Sequence, residues 1–445
     1  MNESQGAAMQ SRKSAVSCAV KNAAQAPKKT RQSSCVQETA DSGKEGTVTL
    51  LAPCHFGLEA CTKREIEALG YEITEVEDGR VSFRGDLRAI ARANVFLRTT
   101  ERVLLKVGAP FYARSWDELF EAVYALNWED YIPWDGCVWV AKASSVKSAL
   151  FSPKDFQTII QKAIVKRLQK AYDREGERLP MDGASYALRV FAMKDRITIG
   201  IDTSGESLHR RGYRLLTAKA PITETLAAAL IMLTPWNRDR ILVDPFCGSG
   251  TFCIEAAMMA ADIAPGMERN FAATSWQNLM EKQLWYDAYD EARERAAACD
   301  RSVLKEQLDI QGYDIDAEIV AAARANAQRA GVGDLIHFQQ RDVEALHHAK
   351  KYGFIITNPP YGERLSEKES LPRLYKTLGE RFAALSDWSM YMITAYEEAE
   401  KYIGRKADKN RKIYNGMMKT YFYSWLGKKP PRRRMSEGEE KQSSL

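Results

Sequence analysis

Long apolar runs are missing from this chain: none approaches the roughly 20 residues that a membrane-spanning helix needs. The first 40 residues lack the apolar core of a signal peptide, so the sequence predicts a cytoplasmic protein with no membrane partner. The eight cysteines (Cys18, Cys35, Cys54, Cys61, Cys137, Cys247, Cys253 and Cys299) show neither the short spacing nor the histidine partners of a zinc site. They read as reduced thiols, Cys247 as a small packing residue, and no metal is expected. Charge of one sign is scarce outside the two ends. Residues 1–46 carry seven Lys and Arg against four Asp and Glu, and residues 427–445 six against three, so each end is +3 and the body between them −1. Any nucleic-acid surface on the body must therefore come from local clustering.

What is present is an ordinary globular composition, 45% hydrophobic and 28% charged, in 445 residues, enough for two or three domains. One stretch organises the rest. Ile241-Leu-Val-Asp244 is an apolar run too short for a helix, followed by a turn with Gly248 and Gly250 and then an Ala-rich helical segment. A buried parallel strand, a tight glycine loop and a helix start are predicted. Glycine suits such a loop because the missing Cβ lets backbone N–H groups approach a ligand. No Lys follows Gly250, which excludes a Walker phosphate loop. A carboxylate at the strand end points instead to a ligand with a positive or hydroxyl-bearing end.

Two more strands end in carboxylates. Leu308 to Asp316 supplies Asp314, the first choice for a ribose contact, with Asp316 second, and His337 to Asp342 supplies Asp342. Asp244 and Asp314 stand 70 residues apart, against the about 20 of a dinucleotide fold, which counts against a dehydrogenase. The intervening segment from Pro265 to Leu308 reads as a helical, aromatic-rich excursion. A fourth strand, Tyr352 to Thr357, runs straight into Asn358-Pro359-Pro360-Tyr361.

Asp244-Pro-Phe-Cys-Gly-Ser-Gly-Thr251 together with Asn358-Pro-Pro-Tyr361 resembles the S-adenosylmethionine-dependent methyltransferases that act on exocyclic amines of nucleobases. The longer form through Gly362-Glu-Arg-Leu365 is similar to the branch that makes N2-methylguanosine in RNA, especially the bacterial 23S ribosomal RNA enzymes with an N-terminal THUMP domain. The resemblance covers about residues 48 to 427. It implies an α/β fold: a Rossmann-like class I methyltransferase domain preceded by an α+β ferredoxin-like and THUMP module, in the form with a single methyltransferase domain. The divisions expected are a disordered tail over 1–46, a ferredoxin-like subdomain over 47–95, a THUMP RNA-binding domain over 96–204, the methyltransferase domain over 205–427 and a disordered charged tail over 428–445.

The resemblance also implies S-adenosylmethionine as cofactor, held by Asp244, Pro245, Phe246, Gly248, Ser249, Gly250, Thr251, Asp314, Asp316, Asp342 and Asn358. Asn358, Pro359, Pro360 and Tyr361 become the catalytic set. An exocyclic amine is a poor nucleophile because its lone pair is conjugated into the ring. The Asn358 amide oxygen and the Pro359 carbonyl can accept both amine hydrogens, and Tyr361 offers a face for a splayed-out base. Ring-carbon methylation, which needs a nucleophilic cysteine, is disfavoured because the one Pro-Cys pair is Pro53-Cys54.

In the amino-terminal half, Val48 to Ala52, Tyr71 to Val76 and Val81 to Phe83 read as strands, with a helix from Leu58 to Leu69. Arg98 to Phe111, Val138 to Ser144, Tyr186 to Phe191 and Arg196 to Asp202 read as further strands. Ser152-Pro153-Lys154-Asp155 is a helix start with a capping box. In the helix that follows, Lys162, Lys166 and Lys170 recur every four residues, about 6 Å per step, as a stripe that could track an RNA backbone. Ser204 to Arg214 reads as a polar link whose Arg210 and Arg211 are further RNA candidates, with His209 a hydrogen-bonding linker residue. The partner expected is RNA, ribosomal by resemblance. Two alternatives stay open: a DNA adenine-N6 methyltransferase, and a non-catalytic RNA-binding protein with a decayed methyltransferase domain.

Overall fold

The computed structural model describes residues 46–214, 222–362, 369–416 and 418–431. The tail expected over 1–46 lies outside them except for Gly46, as do residues 432–445 of the charged tail and Glu363 to Leu365 of the extended Asn-Pro-Pro-Tyr motif.

Alternating apolar positions build a first sheet of eight strands: β1 (Val48–Pro53), β2 (Glu72–Glu77), β3 (Arg80–Gly85), β4 (Leu104–Lys106), β5 (Phe111–Tyr112), β6 (Cys137–Val146), β7 (Ser185–Met193) and β8 (Arg196–Asp202). The order is β2-β3-β1-β4-β8-β7-β6, with β5 also on β8. Helices α1 (Glu59–Ala68), α2 (Leu87–Phe96), α3 (Trp116–Tyr124) and α4 (Pro153–Ala171) accompany it. Their starts are written in side chains: Asp86 caps α2, Ser115 and Glu118 form a capping box on α3, and Ser152 Oγ accepts from Asp155 N at 3.3 Å on α4. Leu50 pairs with Leu105, and Leu105 with Ile201, so one sheet runs across the division read at residues 95 and 96.

The long strand expected from Arg98 to Phe111 is only the short β4 and β5. The half-buried Glu65 carboxylate takes the N–H groups of Arg98 (2.9 Å) and Thr99 (3.0 Å), so a side chain rather than a neighbouring strand satisfies this backbone.

The second half is a seven-stranded sheet of β9 (Leu242–Asp244), β10 (Ile310–Asp314), β11 (Ile336–Gln340), β12 (Phe354–Thr357), β13 (Ser389–Thr394), β14 (Lys409–Asn415) and β15 (Met418–Trp425), in the order β11-β10-β9-β12-β13-β15-β14. The first five are parallel, and β15 runs antiparallel to both its neighbours. The described helices are α5 (Glu224–Met232), α6 (Thr251–Ala260), α7 (Lys282–Ala298), α8 (Arg301–Gln307), α9 (Ala317–Arg329), α10 (Leu371–Ala384) and α11 (Ala399–Ile403). From β9 the chain runs to β10 and β11 on one side and then crosses back to β12 on the other. That switch opens a crevice beyond the carboxyl ends of these strands, where ligands of open α/β sheets bind. Among the described residues no helix is long and apolar enough to cross a membrane.

The excursion between α6 and β10 is not a surface appendage. Phe271, Trp276, Met280, Trp285, Ala288 and Ala292 belong to the hydrophobic core of the amino-terminal half. Trp276 is fully buried, stacks on Tyr186 with centroids 4.9 Å apart and donates its indole N–H to Ser185 O at 3.0 Å. Arg92 of α2 grips Glu291 of α7 through two hydrogen bonds of 2.6 and 2.7 Å. Nor is Ser204 to Arg214 a solvated link. Ser204 Oγ accepts from Val103 N at 2.8 Å, and Ser204, Leu208, Arg211 and Tyr213 are buried.

Candidate active site

The site is assembled at the carboxyl ends of β9, β10 and β12. Asp244, 1% exposed, ends β9, and its Oδ1 accepts from Phe246 N at 3.1 Å and from the Thr357 hydroxyl at 2.6 Å. Thr357 ends β12, so this bond ties the glycine loop to the residue before Asn358. Burial pushes the Asp244 carboxyl up to about 7, against the Thr357 and Phe246 hydrogen bonds that favour its charged form.

Pro245 is buried and Phe246 half-buried as the chain turns. Cys247 N then donates to Tyr313 O at 2.8 Å, and Gly248 N to Asp314 Oδ2 at 3.2 Å, seating the loop against the end of β10. The two glycines do different work. Gly248 has φ +51°, and a Cβ there would meet nothing within 4 Å, so this backbone faces open space. Gly250, at φ +86°, caps α6, and a Cβ there would lie 2.9 Å from Phe338 and 3.2 Å from Ala323. The first leaves room for a ligand; the second allows helix and sheet to pack. Ser249 and Thr251 are buried, and Asn326 of α9 donates to Ser249 O at 3.1 Å. Cys247 is also buried, which pushes its thiol well above the ordinary range, in keeping with a packing residue.

The carboxylates at and just beyond the ends of β10 and β11 separate by environment; β11 ends at Gln340, so Asp342, expected at its end, lies two residues past it. Asp314 is half-buried beside the loop, and burial raises its pKa. Asp316 is exposed and caps α9, accepting from Glu318 N at 2.8 Å. Asp342 is exposed and accepts from Glu344 N at 2.7 Å, capping a short turn. Of the two ribose candidates, Asp314 faces the glycine loop and Asp316 is occupied by its helix.

Across the crevice, Asn358 follows β12. Its Oδ1 is buried and has no hydrogen-bond partner among the described residues. A buried acceptor without a donor costs about 1–3 kcal/mol, which a fold retains where a ligand supplies the donor. Pro359 is buried, Pro360 exposed and Tyr361 half-buried. Tyr375 of α10 donates to Pro360 O at 3.1 Å and shares a 2.6 Å hydrogen bond with Thr394, holding the loop from below. Sequence reading missed Thr357, Asn326 and Tyr375. Each sits at an apolar or helical position whose polar end meets the site only through the fold.

Residues 49–104 match the RlmL ferredoxin-like domain, 113–202 the THUMP domain, and 211–423 the RMKL-like methyltransferase domain (UPF0020). The chain is 44% identical over 389 residues to "Putative RNA methyltransferase YpsC" of Bacillus subtilis (strain 168), covering 87% of this chain and 98% of that protein. The chain belongs to the THUMP-containing RNA methyltransferase family. Another relative, "Ribosomal RNA large subunit methyltransferase K/L" of Syntrophotalea carbinolica, is 32% identical, and this methyltransferase spans 56% of its length. Among solved structures, "SMU.472, a putative methyltransferase complexed with SAH" superposes with a TM-score of 0.79 at 42% identity, over 87% of this chain and 100% of that one. A "predicted N6-adenine-specific DNA methylase" of Listeria monocytogenes superposes with a TM-score of 0.78 at 46% identity, over 86% and 97%.

The RNA-contact candidates divide. Lys162, Lys166 and Lys170 of α4 are exposed, with the Lys166 ammonium 5.6 Å from the Phe120 ring centroid. Arg210 is exposed and paired with Glu206 at 3.2 Å. Arg211, expected as an RNA contact, is not a surface residue of this methyltransferase and does not serve as one. It is 3% exposed, donates to Leu208 O at 2.6 Å and lies 3.4 Å from the fully buried Glu255. The Arg-Arg pair looks like one basic patch in sequence, but neighbouring side chains here leave on opposite sides of the chain. His209 is hydrogen-bonded as expected, its Nδ1 lying 3.1 Å from Glu101.

Proposed function

We propose that this enzyme transfers a methyl group from S-adenosylmethionine to the exocyclic N2 amine of a guanosine in RNA, with 23S ribosomal RNA as the substrate. The observation that carries the reading is the unpartnered, buried Asn358 Oδ1 across the crevice from the Gly248 loop. When bound, S-adenosylmethionine supplies an electrophilic methyl group. The residues present fit it: open space over Gly248, the Asp314 carboxylate beside that loop for ribose hydroxyls, and Asp342, exposed just past β11, for the adenine amine.

The chain's own part is orientation and electrostatics. Asn358 Oδ1 and the Pro359 carbonyl accept the two amine hydrogens and draw the nitrogen toward tetrahedral geometry. Proline fixes its own φ, and Tyr375 anchors the next carbonyl, so the acceptors are set before substrate arrives. Tyr361 stacks on the extruded base. No strong base is required, because the amine proton becomes acidic once the nitrogen is methylated.

RNA is favoured by the THUMP match and by the names of the relatives; the exposed lysines of α4, with Arg210, fit its backbone. The DNA adenine-N6 reading uses the same acceptor geometry. Nucleoside analysis separates the two: ribosomal RNA incubated with the enzyme should yield N2-methylguanosine, and N6-methyladenosine in its place would overturn the substrate assignment.

A further inference from the structure

The strand register places a second surface beside the Asn358 loop. Thr357 of β12 pairs with Met392, and Thr394, two residues on, pairs with Tyr421 of β15. The β14–β15 hairpin therefore continues past the carboxyl edge of the sheet, on the edge that bears Asn358. From Tyr421 to Met418 the overhang is three residues, about 10 Å at strand rise.

Side chains alternate between the two faces of this hairpin. Ile413 and Phe422 are packed in one core, Tyr423 and Trp425 in another. Lys412, Tyr414, Lys419 and Tyr421 share the face of Tyr423. Lys412 stands opposite Tyr421, and Tyr414 opposite Lys419. Each ammonium lies over a tyrosine of its own strand, Lys412 at 5.2 Å from the Tyr414 centroid and Lys419 at 5.0 Å from that of Tyr421. Lys412, Tyr414 and Lys419 are exposed and Tyr421 is half-buried.

Lysines on β14 would by themselves serve to keep an edge strand from pairing with another chain. Exposed tyrosines do the reverse, so edge protection does not account for the alternation. Cations that meet phosphates, interleaved with rings on which bases stack, are what a single-stranded nucleic acid needs. Exposed Glu397, which follows β13, lies within electrostatic reach of Lys419 and borders the quartet on that side.

We infer that the Lys412–Tyr414–Lys419–Tyr421 quartet binds the single-stranded RNA flanking the target nucleotide as it leaves the Asn358 loop. The inference rests on the RNA-methylating reading above. Its test is equilibrium binding of a fluorescein-labelled single-stranded RNA with one central guanosine, measured against salt for the full chain. The variants are Lys412→Ala/Lys419→Ala, Tyr414→Ala and, as control, Lys409→Ala, an exposed lysine at the other end of β14.

In the double lysine variant the slope of log affinity on log salt should shrink by about 1.4, two phosphates at about 0.7 each. Tyr414→Ala should bind about tenfold more weakly, and Lys409→Ala should match the wild type. At saturating RNA, kcat should persist in all three while KM for RNA rises in the first two. No wild-type binding, an unchanged slope in the double variant, or equal losses with Lys409→Ala overturns the inference. So does a fall in kcat without a change in affinity, which would place Tyr414 in the target-base pocket instead. A wild type that binds with the expected slopes but methylates no RNA would sink the reaction assignment and leave this surface standing.

Discussion

The Thr357 hydroxyl donates to Oδ1 of the buried Asp244 at 2.6 Å, joining the strand that ends in the glycine loop to the strand that ends in Asn358. This bond couples the two halves of the site, the loop proposed to hold the cofactor and the acceptor proposed to hold the amine. Thr357→Val keeps the shape and removes the donor. It should cost about 1–3 kcal/mol of stability and lower kcat. Urea denaturation and steady-state methylation check this; a variant equal to wild type in both would mean the bond does not position Asn358.

Asp244 sets a pH dependence with a definite sign. Its pKa is about 7 in the folded chain against an ordinary 3.8, so between these values the folded protein holds a proton that the unfolded chain has lost. The stabilisation is complete below the lower value and disappears as pH rises through about 7, a range worth roughly 4 kcal/mol at most. Asp244→Asn cannot titrate there. Its stability relative to wild type should therefore improve steadily from about pH 4 to about pH 7. Parallel stability curves across that range would refute the assignment of a neutral buried acid.

Arg211 is predicted to act in folding and not in RNA binding. Arg211→Met leaves Glu255 buried without its charge partner, at a cost of about 3–5 kcal/mol. The expected result is a much lower denaturation midpoint with unchanged RNA affinity wherever the variant is folded. Wild-type stability with weakened RNA binding would return Arg211 to the contact surface.

The insert makes the two halves interdependent. Trp276→Ala, at the Tyr186 stack, should destabilise the whole chain by about 3–5 kcal/mol in a single transition. A fragment of the methyltransferase half alone would expose Phe271, Trp276 and Trp285 to water and should aggregate. A monomeric, folded fragment would show that this packing is dispensable.

What could be read in the sequence was what is local in it. Asp244, Gly248, Gly250, Asp314 and Asn358 announce themselves because strand end, turn and helix start follow one another along the chain, and the structure gathers them at one edge. Thr357, Asn326 and Tyr375 carry no such mark, since each becomes part of the site only when distant strands and helices meet. The insert's aromatic face was visible as a pattern, but its partners Tyr186 and Arg92 lie in the other half of the chain. Arg211 was misread for the same reason: a basic residue in a polar stretch looks solvated until the fold supplies Glu255.

If Asn358 Oδ1 accepts an amine hydrogen in the reaction, single-turnover methyl transfer should depend on it, and Asn358→Ala removes that acceptor. Removing one preorganised acceptor should lower the transfer rate by about two to three orders of magnitude. Asn358→Asp, which keeps an acceptor, should retain more activity than the alanine variant, and affinity for S-adenosylhomocysteine, measured by calorimetry, should change little in either. Transfer at the wild-type rate by Asn358→Ala would remove Asn358 from the reaction.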